Sequence, residues 1–474
     1  MRTALSLRPG SVLPAVIGGA AMLASCGGSA DRDAGESRPN FLIIMADDCS
    51  YFDIGCWGSV NHETPNIGAL ARDGMTFNRG FNSATTSVPT RHALYSGMYP
   101  YHNGGYYNLG LLGEGVKTMP AYMQELGYRC GLAGKWHIWP EESYPWKSVP
   151  GFQKSCVSPD VSYTLDGVRE FMTRSSDEPF CLMLASINPH MPWTGGDPSV
   201  YDRDSLVLPP ILADTPLTRE YYARYLAEID QLDKEVGDVI GLLKENGLYD
   251  NTLIFFLSEQ GAQLTGAKWT CWTPGVHAGI IAKWTGHVTP GRVTDAIVQY
   301  EDILPTLIDL AGGRPGGVSN LDGRSLRRLL DGRTDRHRRY AYHFHANIPS
   351  GPAYSMRACS DGRYRLIWNL SHESEYRARN HDKAPWFREW KQLKDDSRAQ
   401  MLVNRWHHRP EFELYDTLDD PWELNNLAGS PKHRGVQRRL YRQIRHWMRS
   451  QSDPGIPADK EMMTGPQYEK SMQF

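Results

Sequence analysis

The sequence predicts an α/β fold: a large, mostly parallel sheet flanked by helices, followed by a smaller C-terminal antiparallel sheet with a packed helix. Three observations predict it. Over residues 38–335, short apolar runs recur without alternation, the pattern of strands buried on both faces of a parallel sheet. Helical patterns separate those runs, as crossover connections require. From about residue 336 the pattern changes to short strands around Asp361-Gly362, the best short hairpin signal in the chain. The 474 residues exceed one typical domain, so residues 38–335 and 336–474 are read as two parts. With 22% charged and 11% aromatic residues, the composition is globular. A net charge of −3 supplies no global basic field and argues against a nucleic-acid partner.

The first 37 residues read as a targeting segment and tether. Arg2 and Arg8 form a positive start, and the apolar, small-residue stretch 11–24 is too short to span a bilayer. It ends in Leu23-Ala24-Ser25-Cys26-Gly27-Gly28, which resembles a bacterial lipobox with a lipid anchor at Cys26. Residues 31–38 are polar. The chain is therefore expected outside the cytoplasm, as a lipoprotein of the periplasm or outer membrane. Of eight cysteines the lipobox takes one, and the odd remainder implies a free thiol or an intermolecular bond. Cys130 and Cys181 lie in apolar runs and read as buried thiols. No C-x-x-C pair supports a zinc or redox motif.

The strands come in order. Residues 41–45 (FLIIM) form the first, and Asp47-Asp48 follows at its C-terminal end, where open α/β sheets place their sites. Two adjacent carboxylates repel, so they need a cation or a solvated turn. A short helix spans 64–71. Another starts at Ser87-Val88-Pro89-Thr90-Arg91, with Ser87 as its cap, Pro89 in the first turn and Gly97 at its end. A helix N-terminus attracts anions, and Arg91 adds a fixed cation one turn in. Residues 128–133 lead into Gly134-Lys135-Trp136-His137, and 180–185 into Asn188-Pro189-His190. The longest helix, 217–245, repeats Tyr225, Ile229, Leu232, Val236, Ile240 and Leu243 at core spacing. Residues 253–257 lead into Ser258-Glu259-Gln260-Gly261, and 279–284 read as a fifth strand. Asp47, Asp48, Lys135, His137, His190, Glu259 and Gln260 thus gather on one predicted sheet edge.

In the C-terminal part, 340–345, 354–358, 364–370 and 412–415 read as strands. Residues 433–448 form a basic amphipathic helix, whose arginines make either a solvated face or an anionic-glycan contact. His343 and His345 share one strand face, either packing there or lining a pocket.

These stretches together resemble the type I sulfatases of the alkaline-phosphatase superfamily, from about Arg38 to Ala428. The resemblance rests on Ala46-Asp47-Asp48, Ser87-Val88-Pro89-Thr90-Arg91, Gly134-Lys135-Trp136-His137, Asn188-Pro189-His190, Ile303-Leu304-Pro305-Thr306-Leu307 and Leu414-Tyr415-Asp416. Their order and spacing are similar to the family's. Within it the chain is most similar to the heparan N-sulfatase (sulfamidase) branch. That likeness is carried by Gly134-Lys135-Trp136-His137-Ile138-Trp139-Pro140-Glu141, Tyr354-Ser355-Met356-Arg357 and Leu366-Ile367-Trp368-Asn369-Leu370.

The resemblance implies that a maturase able to use serine oxidises Ser87 to formylglycine. One hydroxyl of its hydrate attacks sulfur; the other loses its proton as the aldehyde re-forms and sulfate leaves. It implies metal ligands Asp47, Asp48, Glu259 and Gln260 with residue 87; an all-oxygen set favours Ca²⁺ over Mg²⁺. Arg91, Lys135 and His137 would surround the formylglycine and the sulfate, and His190 and Lys268 would bind sulfate and protonate the leaving group. Glu141, His343, His345 and Arg357 would contribute to the saccharide pocket. One departure stands out: the family usually has Asp-Asn where this chain has Glu259-Gln260. Acid and amide are kept, each longer by a methylene, which implies a shifted backbone with the same ligands. The alternative is weak metal binding and a glycan-binding pseudoenzyme. The expected function is an exported sulfatase on N-sulfated glucosamine of heparan type, with an O-sulfatase on another host or algal glycan as the alternative. Phosphodiester or phosphonate hydrolysis fits less well, since the pair His137 and His190 suits a one-metal sulfatase.

Overall fold

The computed structural model describes residues 38–318 and 320–461. The lipobox with Cys26 and the tether lie outside the described residues. Eight strands build the main sheet: β1 (Asn40–Met45), β2 (Met75–Phe77), β3 (Arg129–Gly134), β4 (Lys147–Val149), β5 (Phe180–Ala185), β6 (Thr252–Leu257), β7 (Ile280–Lys283) and β8 (Arg292–Thr294). Their spatial order is β4-β3-β5-β1-β6-β7-β2-β8. The first five in that order are mutually parallel, and β7 alone runs against its neighbours.

The continuous apolar runs are strands buried on both faces. Leu42, Ile44, Leu182, Leu184, Ile254 and Phe256 enter one core; their alternate neighbours Phe41, Ile43, Met183, Leu253, Phe255 and Leu257 enter a second. Burying each such side chain contributes about 1.5–3 kcal/mol, so the central strands are held from both sides. Helices α1 (Pro65–Asp73), α2 (Ser87–Ser96) and α3 (Pro216–Glu245) follow the sequence pattern closely. Tyr225, Ile229, Leu232, Val236 and Leu243 of α3 are fully buried, as their spacing predicts.

The C-terminal sheet is antiparallel throughout, in the order β9 (Ala341–His345), β10 (Met356–Ser360), β11 (Tyr364–Asn369), β12 (Phe412–Asp416). The β10–β11 turn is the Asp361-Gly362 hairpin: the Asp361 carboxylate accepts from the Arg363 and Tyr364 amides, and Gly362 takes φ +91°. Helix α4 (Arg434–Ser450) lays Leu440, Ile444 and Trp447 on this sheet. From Arg38 onward the chain forms one compact unit, and one core contains both Leu182 of the large sheet and Ile367 of the small one. No helix among the described residues is long and apolar enough to cross a membrane. Cys130 and Cys181 are buried free thiols, and all seven cysteines among the described residues are free.

Candidate active site

Parallel strands share one C-terminal edge, and the site is built there. Asp47 and Asp48 follow β1, Lys135 follows β3, His190 lies past β5, and Glu259-Gln260 lies past β6. Gly134 is required at the end of β3: its φ is +94°, and a Cβ there would lie 2.0 Å from the Ala185 carbonyl oxygen. That close approach lets Lys135 turn in beside β5. Asp48, His137 and Glu259 adopt left-handed backbone, φ +60°, +44° and +63°. Such strain costs about 1–3 kcal/mol per residue and persists where the surroundings over-determine it. Here the Asp48 amide donates to Glu259 Oε2 at 3.3 Å, so two of these turns hold each other.

Helix α2 meets this edge end-on, and all ten of its residues are buried. One expectation is corrected: Thr86, not Ser87, is the N-cap residue, and Ser87 opens the helix proper. The Ser87 hydroxyl does not cap because charged groups claim it. Ser87 Oγ donates toward Glu259 Oε2 at 3.1 Å and Asp47 Oδ1 at 3.4 Å. It lies 3.2 Å from both Lys135 Nζ and Gln260 Nε2. Gly97 ends the helix at φ +66°, as expected.

Three buried carboxylates are matched by three buried cations. Lys135 Nζ donates to both Asp47 oxygens, at 2.7 and 2.6 Å. Arg91 Nη2 lies 2.8 Å from Glu259 Oε1, and Lys268 Nζ 2.5 Å from Asp48 Oδ2. Lys268 is thus a site residue, not a surface lysine. Burial alone would raise the Asp47 pKa, but the Lys135 ammonium and His190 hold it down at about 2. Burial opposes charge on His190 as well, and the Asp48 and Asp47 carboxylates overcome it, lifting its pKa to about 9. Its Nδ1 bonds the Met191 carbonyl at 2.5 Å and therefore carries a hydrogen. Nε2 faces the cluster, 3.5 Å from Asp48 Oδ2. His137 is driven the other way: burial and the neighbouring cations Lys135 and Arg91 keep its ring neutral.

The residues present fit a hard metal ion. Asp47, Asp48 and Glu259 each offer a carboxylate oxygen within 4.8 Å of the others. Gln260 Oε1 is a buried acceptor without a hydrogen-bond partner. Gln260 Nε2 reaches Asp48 Oδ1 at 2.6 Å, so the longer Glu-Gln pair converges on the same cluster as the aspartates.

Three of the four pocket expectations turn out differently. His343 is fully buried, with Nδ1 donating to the Asn82 carbonyl at 2.7 Å. His345 bonds Thr85 at 2.5 Å and Tyr376 at 3.2 Å, and burial lowers its pKa to about 3. It steadies the segment leading into α2. Arg357 is fully buried and is taken up by Asp453 and Asp459, so it has no free face for a saccharide. The fourth, Glu141, is exposed on the 141–143 turn.

Three residues of the site were not foreseen. Glu235 accepts from Ser186 Oγ at 2.6 Å and Asn188 Nδ2 at 2.7 Å, and Glu228 from the Thr194 and Gly195 amides at 2.6 and 2.9 Å. Both hold the 186–195 loop that carries His190. Their signal was available: two carboxylates seven residues apart on the core face of α3. The third, Cys156, offers its thiol within 4.8 Å of Asp47 and His190 donor atoms. Burial raises its pKa, but Lys135 and His190 bring it below that of an ordinary thiol. It lies in an irregular segment with no motif around it.

A hydroxyl at a buried helix N-terminus thus meets paired carboxylates and cations on the C-terminal edge of a mostly parallel sheet, groups suited to holding and attacking a tetrahedral oxyanion. The chain belongs to the sulfatase family: the family model described as "Sulfatase" matches residues 39–313. A second model, "N-sulphoglucosamine sulphohydrolase, C-terminal", matches residues 267–410. An ulvan-active sulfatase of Formosa agariphila is 28% identical over 88% of this chain and 81% of its own. Human N-sulphoglucosamine sulphohydrolase is 25% identical over 89% of this chain and 92% of its own. A solved structure in complex with its substrate, D-glucosamine-2-N,6-O-disulfate, superposes with a TM-score of 0.71 at 18% identity. It covers 88% of this chain and 99% of that one, and shows the shared alkaline-phosphatase-like fold. The protein is an enzyme that hydrolyses sulfate esters or sulfamates.

Proposed function

We propose that the enzyme is an exported, lipid-anchored sulfatase that removes the N-sulfate from glucosamine of heparan-type glycans. The match of residues 267–410 to the C-terminal model of N-sulphoglucosamine sulphohydrolases carries this reading. Cys26 and its lipobox support the export.

Ser87, oxidised to formylglycine by a maturase that accepts serine, would supply a hydrated aldehyde as nucleophile. Asp47, Asp48, Glu259 and Gln260, with residue 87, would hold a calcium ion, which lowers the pKa of a bound hydroxyl and polarises a sulfate oxygen. Lys135, Arg91, Lys268 and protonated His190 outnumber the three carboxylates, so the cluster's own residues favour an anionic sulfate. Lys135 and Arg91 position residue 87 and meet charge that develops on the sulfate oxygens. His190, protonated and fixed through Nδ1, holds a proton at Nε2 for the leaving nitrogen. The N–S bond breaks as that nitrogen accepts the proton. His137, neutral, accepts a hydrogen bond without adding charge. Glu228 and Glu235 hold the His190 loop in register.

A panel of defined saccharides tests the substrate. N-sulfated glucosamine should release sulfate at least tenfold faster, in kcat/KM, than 6-O-, 3-O- and 2-O-sulfated sugars. A reversed order supports the second reading, an O-sulfatase on an algal glycan, which the likeness to the Formosa agariphila enzyme favours. Protein from the native host should show loss of two hydrogens on the Ser87 peptide by mass spectrometry. Unmodified serine there contradicts the aldehyde.

The metal has its own test, independent of turnover. Calcium should raise the thermal midpoint of the wild-type chain; at a hundredfold excess over Kd the stabilisation is about 2.7 kcal/mol. Asp48→Asn should lose most of that shift. An equal calcium shift in the variant would remove Asp48 from the ligand set.

A further inference from the structure

Helix α4 turns two different faces outward and inward. Leu440, Ile444, Trp447 and Met448 are buried against the small sheet. On the other side stand Arg434, Arg438, Arg442, Arg445 and Arg449, all exposed. At 3.6 residues per turn these arginines fall within an arc of about 80° and run along about 22 Å of helix. A carboxylate three or four residues away on the same helix would pair with such an arginine. This helix contains no Asp or Glu at all. Among the described residues, no carboxylate lies within ion-pair distance of any of the five. Arg439, off the stripe, does find one, Asp361 at 2.6 Å. In a chain of net charge −3, the stripe is a concentrated local reversal of sign.

A groove runs beside the N-terminal half of the stripe. Its walls include Phe412, Tyr441 and Gln437 together with Arg434 and Arg438; Glu411 is the one carboxylate lining it. Arg445 lies over the Tyr441 ring, 5.9 Å from its centre.

We propose that this arginine stripe and its groove bind a linear sulfated saccharide chain, as a second contact outside the catalytic cluster. The proposal rests on the glycan-sulfatase reading above and adds where the polymer is held. Three features favour this occupant. Guanidinium groups bind tetrahedral oxyanions through paired N–H donors, and a stripe one helical turn apart suits anions repeated along a chain rather than a single one. The Phe412 and Tyr441 rings, set edge to face, give the groove apolar walls, and the Gln437 side-chain amide adds a polar edge, the two kinds of surface a pyranose ring presents. A membrane surface suits it less, since a helix lying in an interface needs its apolar face free, and here the small sheet covers that face. A nucleic-acid duplex suits it less, since a net charge of −3 gives the chain no global basic field.

The test uses the full chain on immobilised heparin. The wild type should be retained and elute with salt, and N- and O-desulfated heparin should retain it at least tenfold more weakly. Arg438→Glu/Arg442→Glu/Arg445→Glu should cost at least tenfold in affinity for heparin. Its kcat/KM on a sulfated monosaccharide should stay within twofold of wild type, because no stripe residue touches the catalytic cluster. The milder Arg442→Gln should lose about twofold to threefold in affinity, with unchanged circular dichroism. Unaltered heparin affinity in the triple variant overturns the proposal. So does equal wild-type affinity for vesicles of anionic lipid or for duplex DNA. Failure of the monosaccharide panel with heparin binding intact would instead reject the N-sulfatase reading and leave this surface standing.

Discussion

Ser87→Ala is expected to abolish sulfate release, lowering kcat/KM by about 10⁴-fold or more, the range seen when a nucleophile that acts as part of a unit is removed. The reason is positional. Ser87 Oγ lies within 3.4 Å of Asp47, Glu259, Lys135 and Gln260, the groups that would set the acidity and direction of any oxygen at this position. The fold should tolerate the loss. Lys135 stays paired with both Asp47 oxygens, and Arg91 with Glu259, so no buried charge is orphaned. Stability should fall by only about 1–2 kcal/mol, for hydrogen bonds lost without a desolvated charge. Calorimetric titration of Ser87→Ala with a sulfated saccharide should still show binding, because Arg91, Lys135, His190 and Lys268 remain. Sulfate release measured on the same preparation decides the matter: retained turnover would move the nucleophile elsewhere.

That site was legible because five parallel strands put their C-terminal ends on one edge, whatever lies between them in the chain. Apolar runs bounded by polar or turn residues located β1, β5 and β6 to within a residue. The three-residue strands β2, β4 and β8 carry no such run; MTF, KSV and RVT become strands only because a neighbour pairs with them. The direction of β7 was equally hidden. It follows from the path of residues 261–279 beneath the site, which also delivers Lys268 to Asp48. Within the site, residues just past strand ends could be placed from the sequence. Glu228 and Glu235 are less conspicuous: they carry a sequence signal, two carboxylates seven residues apart on a core face, but apolar periodicity dominates that face. Their carboxyls show what was overlooked: burial raises their pKa values to about 7 and 8. The loop they hold is the one that presents His190.

The opposite error concerns His343, His345 and Arg357, which chemistry-bearing residue types marked as pocket residues. Their burial is decided by partners far away in sequence. Asn82 meets His343 and Thr85 meets His345, from the segment that leads into α2. Asp453 and Asp459, about a hundred residues on, meet Arg357. A motif read along the chain shows the residue and not the partner, so a buried ion pair and an exposed binding group look alike.

Arg357→Met separates those two roles. Arg357 Nε lies 2.5 Å from Asp453 Oδ2, and Nη2 lies 3.0 Å from Asp453 Oδ1 and 3.4 Å from Asp459 Oδ2. Its Nη2 also donates to Tyr101 Oη at 2.9 Å, tying the small sheet to the segment after α2. Removing the cation leaves Asp453 and Asp459 buried and uncompensated, a loss of about 3–5 kcal/mol. Denaturant unfolding of the variant should show that loss, while kcat/KM on a sulfated monosaccharide stays within about threefold of wild type under conditions where the variant is folded. A group that binds substrate behaves the other way: stability barely moves and KM rises at least tenfold. The double variant Arg357→Met/Asp453→Asn sharpens the outcome. Replacing one orphaned carboxylate by a neutral amide should recover part of the lost stability, since the cost lies in the unpaired charge rather than in the missing side chain. If Arg357→Met unfolds no more easily than wild type, the buried pair is not what holds α4's end of the sheet, and Arg357 returns to the saccharide pocket.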